Sequence, residues 1–200
     1  MYVVLDIETT GFSRDGDNIL EVGYIRIDHN LNIHQSGTLF FYKDDFRIES
    51  AAQSVHRLSR SYLQGYADEF DTNICALYSM MYNSTIIGKN SNTFDMPFIQ
   101  SFCNRYMKDA DVPALKILKA LDLQDVYTPI YRQLTGESRK KGTLEDYAKM
   151  LEISDSEVQE LYDSLNKPAG RYGYHTALYD TVVTYLLLKR GVEAGEIRLI

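Results

Sequence analysis

An α/β protein built on a mixed sheet flanked by helices is the fold class this sequence predicts. Strand-like patterns crowd into residues 2–42, a short β-branched run in the middle leads into a helical segment, and helical patterns fill the C-terminal half. Strands first, a strand-to-helix crossover next and helices last is the order expected when helices cover a sheet that has both parallel and antiparallel neighbours.

The first strand runs from Tyr2 to Ile7. The second runs from Ile19 to Asp28 with Val22, Tyr24 and Ile27, and the third from Leu31 to Tyr42. Asp28-His29-Asn30 has turn chemistry, so the last two should pair as an antiparallel hairpin. The stretch from Ile48 to Tyr66, which contains Ser54-Val55-His56-Arg57-Leu58, reads as irregular with short helices. Periodicity then predicts a helix from about Asp71 to Tyr82, a central strand at Thr85-Ile86-Ile87-Gly88 and a helix from Phe94 to Met107. Thr143 with Asp146, and Ser154 with Glu157, have the spacing of capping boxes that open two successive helices. Asn166 to Gly173 is loop chemistry, expected to be mobile without substrate. The final helix begins at His175 or shortly after and reaches about Lys189, apolar on much of its circumference and therefore packed inside.

With 200 residues, 44% hydrophobic and 24% charged, the chain fits one globular domain over residues 1–200. Strand-like residues from Tyr2 leave no room for a signal peptide, and no apolar run approaches the roughly 20 residues of a spanning helix. A cytoplasmic protein without a membrane partner is expected. Cys75 and Cys103 lack metal-ligand spacing and read as reduced, core or half-buried thiols. A net charge of −7 excludes a broad electrostatic footprint on nucleic acid, though not nucleic acid as a substrate. Arg139-Lys140-Lys141 reads equally as a solvated loop or a local phosphate contact. Most of the 16 tyrosines, including Tyr147, Tyr162 and Tyr185, fall beside aliphatics at helical positions and read as packing.

The motif richest in chemistry is Val4-Leu5-Asp6-Ile7-Glu8-Thr9-Thr10-Gly11. Side chains two apart on a strand share a face, so Asp6 and Glu8 project together from an apolar run. Like charges that close raise each other's pKa unless a cation neutralises them, and a hard divalent metal does so with oxygen ligands. An isolated Asp-x-Glu on a solvated edge strand would need no metal; other acids farther along the chain change the balance. Asp95 precedes Met96-Pro97, and proline favours the first helical turn, so Asp95 belongs at or near a helix N-cap, where capping alone would explain it. Asp180 lies among Leu178, Val182, Val183 and Leu186, where an unpartnered carboxylate is costly to bury. His175 precedes Asp180 by five residues, about 140° around a continuous helix. It can face the same site only from the loop before that helix.

In order along the chain, Asp6-Ile7-Glu8-Thr9-Thr10-Gly11, Val55-His56, Phe94-Asp95, Gly142-Thr143-Leu144 and His175-Thr176-Ala177-Leu178-Tyr179-Asp180 resemble the motifs of the DEDDh-type 3′-to-5′ exonucleases (DnaQ-like). Tyrosine-type relatives carry Tyr four residues before the last Asp, where this chain has Thr176. The spacing from Asn90 to Asp95 and the wording Asp95-Met96-Pro97-Phe98 look like the three-prime repair (TREX-like) branch. Lys89 departs from it, since many relatives carry histidine there, and the stretch from Ser154 to Gly173 is longer than in compact proofreading subunits.

The resemblance implies a ribonuclease H-like fold with a mixed central sheet of about five strands. It implies that Asp6, Glu8, Asp95 and Asp180 hold two divalent ions, Mg2+ or Mn2+, and that His175 is the general base. Two ions can stabilise both the attacking and the leaving oxygen of a displacement at phosphorus, which agrees with four clustered carboxylates. Histidine suits the base role because its charge changes nearest neutrality. Recognition of the 3′ end would fall to Glu8 with backbone groups at Thr9, Thr10 and Gly11, and Phe12 would stack or wedge beside a base. His56, Asn90 and Phe94 are implied neighbours of the terminal nucleotide, although His56 and Phe94 read equally as core. The expected activity is metal-dependent hydrolysis of the terminal phosphodiester of DNA, at single-stranded or frayed 3′ ends, releasing nucleoside 5′-monophosphates. A DNA polymerase is a candidate partner through proofreading. The alternatives are a 3′-to-5′ exoribonuclease on the same scaffold, or an inactive end-binding or polymerase-interaction module.

Overall fold

The computed structural model describes residues 1–82, 84–108, 111–117, 119–165 and 172–199. Residues 166–171, most of the expected mobile loop, lie outside them. Three strands lead: β1 (Tyr2–Thr9), β2 (Ile19–Ile27) and β3 (Ile33–Phe40). Two short helices, α1 (Ser50–His56) and α2 (Arg60–Gln64), precede α3 (Phe70–Met81), β4 (Thr85–Gly88) and α4 (Asp95–Tyr106). The chain continues through β5 (Lys119–Asp122), α5 (Leu123–Thr135), α6 (Leu144–Met150), α7 (Asp155–Ser164) and α8 (Ala177–Glu193).

The sheet order is β3-β2-β1-β4-β5. β1 and β3 pair antiparallel to β2, whereas β1 with β4 and β4 with β5 are parallel. The expected hairpin is present, with narrower strands. Asp28 leaves β2 because its carboxylate accepts from the Asn30 and Asn32 backbone N–H groups at 2.8 and 3.0 Å, closing an Asx-type loop that runs to Asn32. β1 extends past Ile7 to Thr9, α8 continues to Glu193, and β5 is a strand that sequence periodicity does not mark.

Alternation along β1 divides the core. Val3, Leu5 and Ile7 face one side with Phe41, Phe70, Phe98 and Phe102, under α3 and α4. Tyr2 and Val4 face the other with Ile25, Ile27, Tyr127, Tyr147, Leu178 and Val182, under α5 to α8. α8 is the inner helix of that layer: 13 of its 17 residues are buried, so it packs inside rather than presenting a polar face. Tyr147, Tyr162 and Tyr185 are buried as packing residues.

The Thr143 capping box forms in full, with Thr143 Oγ1 accepting from Asp146 N and Asp146 accepting from Thr143 N. At Ser154 the side chain accepts from Glu157 N. Cys103 is buried, but Cys75 is exposed on α3 rather than half-buried, because it falls on the solvent side of that helix. The Arg139-Lys140-Lys141 trio is exposed, and Lys140 pairs with Glu137 at 3.6 Å. Among the described residues, no helix is long and apolar enough to cross a membrane.

Candidate active site

β1 presents Asp6 and Glu8 on the α8 side of the sheet, both half-buried, as strand alternation requires. A register shift follows Glu8 in the pairing with β2, a bulge of the kind that re-aims side chains at a strand end. Directly across from Asp6 is Gly23. A Cβ there would lie 2.3 Å from the Ala177 carbonyl carbon and the Leu178 nitrogen, so the bare backbone of β2 is what lets the start of α8 reach the sheet. Thr181 Oγ1 bonds Gly23 O at 3.0 Å and secures that approach.

Asp180 sits in the first turn of α8 and is buried. Its Oδ2 accepts the His175 backbone N–H at 3.1 Å, while Oδ1 is buried with no hydrogen-bond partner among the described residues. His175 lies before the helix in left-handed backbone with φ 65°, as the sequence requires if it is to face this site. Such a conformation is uncommon outside glycine and asparagine and persists where surrounding contacts impose it. Thr176 turns its hydroxyl to Gly173 O at 2.8 Å and is occupied in the turn.

Asp95 is the first residue of α4, one position inside the expected cap, and is buried. Phe94 takes the cap position with no side-chain bond. Before it, the chain turns at Asn90 (φ 64°), whose backbone N–H donates to Asp122 Oδ1 at 2.7 Å.

These residues line one cavity of about 340 Å³: Asp6, Glu8, Asp95, His175 and Asp180, with Asn90 and Phe94. One carboxylate oxygen from each of Asp6, Glu8 and Asp180 lies within 4.8 Å of the others. Asp95 stands outside that trio on the same cavity wall. Three hard oxygen donors at this spacing, one carboxylate having a buried oxygen with no bond, fit a divalent cation, so Asp6, Glu8 and Asp180 can hold a metal ion.

The electrostatics fit as well. Burial first, then the charges of Asp180, Asp95, Glu8 and Glu21, hold the Asp6 carboxyl well above the usual carboxylate range. Burial pushes Asp180 up to about 7, with Glu145 and Glu21 adding, against the His175 N–H and Lys89. Burial likewise pushes Asp95 up to about 7; Asp122 adds to this, while the backbone N–H groups of Asp95 and Ile7 and the Lys89 charge oppose it. Without a cation these acids retain protons near neutrality, and a divalent ion would compete for those same oxygens.

The other expected contacts lie off the cavity wall. Thr9 Oγ1 donates to Gly11 O at 2.6 Å and Thr10 Oγ1 to Asp17 Oδ1 at 2.9 Å, so both hydroxyls organise the loop after β1. Phe12 is 72% exposed, with its ring 6.4 Å from that of Phe94. His56 is buried at the end of α1, and its Nδ1 accepts the Leu58 N–H at 2.9 Å.

Six cavity-lining residues are not among the site residues expected from the sequence: Ile7, Lys89, Thr143, Leu144, Glu145 and Tyr174. The buried Glu21, opposite Glu8, is not among those expected either, nor is the Gly23 approach. A glycine inside a strand pattern was the available signal for Gly23; for Glu145 and Glu21 the sequence carries none.

The DNA polymerase III PolC-type of Mycoplasma pneumoniae is 25% identical over 105 residues, 52% of this chain and 7% of the polymerase. A structure of exonuclease I superposes with a TM-score of 0.70 at 18% identity, covering 96% of this chain and 40% of that one. E. coli exonuclease I in complex with a dA16 oligonucleotide gives 0.68 at 18% identity, again over 96% and 40%. At that identity the likeness is one of fold, the ribonuclease H-like sheet with flanking helices. The chain thus spans less than half of each of these proteins. The RNase_T family model, described as exonuclease, matches residues 3–188, and the chain belongs to that exonuclease family.

Proposed function

We propose that residues 1–200 act as a single DEDDh-type 3′-to-5′ exonuclease domain that hydrolyses the terminal phosphodiester of DNA at single-stranded or frayed ends. The observation that carries this reading is the convergence of Asp6, Glu8 and Asp180 within 4.8 Å, with Asp95 and His175 on the same cavity wall. Asp6, Glu8, Asp95 and Asp180 are the residues that would hold two ions, Mg2+ or Mn2+. Bound there, such ions supply positive charge that acidifies a water and stabilises the oxygens entering and leaving phosphorus.

The chain's own residues do the rest. His175, exposed beside Asp180, takes a proton from the attacking water and passes it to solvent. Water oxygen forms the new bond to phosphorus as the bond to the 3′ oxygen of the preceding nucleotide breaks. The products are a nucleoside 5′-monophosphate and a strand one unit shorter. Glu8 and the backbone at Thr9, Thr10 and Gly11 meet the terminal 3′ hydroxyl, and the exposed Phe12 stacks on a base beside Phe94. Asn90 contributes a further contact to phosphate or sugar, and His56 is a further candidate neighbour of the terminal nucleotide.

Single-strand preference is in keeping with the oligonucleotide carried by the exonuclease I relative. The likeness to a PolC-type polymerase supports a proofreading role beside a DNA polymerase.

The experiment is degradation of 5′-labelled single-stranded DNA and RNA of one sequence with Mg2+, Mn2+ or chelator, using Asp6→Ala as control. A metal-dependent descending ladder on DNA, lost in Asp6→Ala, supports the reading. Preference for RNA replaces it with the exoribonuclease. Binding without cleavage replaces it with an end-binding module.

A further inference from the structure

The cavity contains a cationic group that the exonuclease reading leaves unused. Lys89 lines it together with five carboxylates, Asp6, Glu8, Asp95, Glu145 and Asp180. Its charge is close enough to lower both Asp95 and Asp180, yet its ammonium forms no ion pair or hydrogen bond among the described residues. A lysine kept merely to neutralise acids would lie within ion-pair distance of one of them. A cation left uncommitted beside metal-binding acids instead weakens cation binding by repulsion. That cost is offset only if an anion arrives to take the lysine.

The backbone that carries Lys89 is held on both sides. Gly88 before it is the last residue of β4, paired in register with Asp122 at the end of β5. After it, the buried Asp122 carboxylate accepts N–H groups of Asn90, Asn92 and Gln124 at 2.7, 3.0 and 3.0 Å. Asn90 Oδ1 accepts from Gln124 Nε2 at 3.1 Å and from the Thr93 hydroxyl at 2.7 Å. With that carbonyl engaged, the Asn90 amide has only its NH2 group left to offer the cavity, a second donor next to the ammonium. Two adjacent donors on a clamped turn, beside a metal-binding acid cluster, suit a phosphodiester oxygen.

We propose that Lys89 binds a non-bridging oxygen of a substrate phosphate in this cavity, on the turn clamped by Asp122. The proposal rests on the exonuclease reading for its substrate class. It is tested on the full chain by fluorescence anisotropy with 5′-labelled single-stranded DNA, Ca2+ replacing Mg2+, over a range of salt. Lys89→Gln should weaken binding about tenfold and reduce the slope of log affinity against log salt by about 0.7, the value for one phosphate contact on a single strand. Lys89→Arg should retain both. Mn2+ binding without DNA should be unchanged or tighter in Lys89→Gln, because a repelling charge is gone.

Wild-type affinity and slope in Lys89→Gln would overturn the proposal. So would a loss of Mn2+ binding or thermal stability in both variants, which would mark a structural role. If the unaltered chain binds strands but cuts neither DNA nor RNA, the exonuclease reading fails while the slope difference still decides the role of Lys89. No strand binding by the unaltered chain sinks both.

Discussion

At Asp180 one carboxylate has two differently engaged oxygens: Oδ2 holds the backbone of His175, and Oδ1 is buried without a bond. Replacing it by asparagine retains the shape and removes the buried charge. Asp180→Asn is therefore expected to abolish metal-dependent activity while leaving the metal-free melting temperature unchanged or raised at pH 8. A large fall in metal-free stability would assign the residue to structure instead. His175→Ala should lower turnover by about 10²–10⁴, the usual contribution of a general base, and leave oligonucleotide affinity within a few fold. Equal loss of both would reject the base assignment. Residue identities and strand alternation made Asp6 and Glu8 legible, and the helix period put His175 ahead of its helix. The partners of Thr9, Thr10 and His56 were not legible, since each bonds a group whose nearness depends on how a loop closes.

Among the elements, α8 positions the site, and it does so through its contact with β2. Gly23→Ala would force a Cβ into the Ala177-Leu178 peptide. The expected loss is about 1–3 kcal/mol, typical of overpacking, or roughly 2–4 °C in Tm per kcal/mol for a chain of this size. Activity should fall further than unfolding accounts for, because Asp180 moves with the helix; a variant with wild-type activity per folded molecule would show that α8 can be displaced without consequence. The hairpin, the capping at Thr143 and α8 itself were readable from periodicity and turn chemistry. β5 was not. Four residues, Lys119-Ala120-Leu121-Asp122, run directly into α5, and only parallel pairing with β4 makes them a strand.

For the whole molecule, a cluster of acids held above the normal carboxylate range makes stability depend on pH. Asp95 and Asp180 titrate near 7 in the folded protein, against about 3.9 for an unfolded aspartate. Between those values the unfolded chain gives up protons that the folded chain retains, so their stabilisation is complete below about pH 4 and is lost as pH rises toward 7. The metal-free protein should melt at a lower temperature at pH 7.5 than at pH 5.5. Saturating Mn2+ should reverse that order, because an ion binds the ionised acids of the folded state alone. A metal-free melting temperature that rises over this interval would mean that the acids ionise freely in the fold.

The sequence by itself determined which residues are candidates for the site and on which face of their own element they lie, because side-chain identity, strand alternation, helix period and capping are local properties. Tertiary structure alone decided that Asp6 and Asp180 share a cavity, that Gly23 admits α8, and that Asp122 clamps the turn bearing Lys89 and Asn90. Those relations join segments far apart in the chain, and they depend on strand order and close packing, which no local pattern encodes.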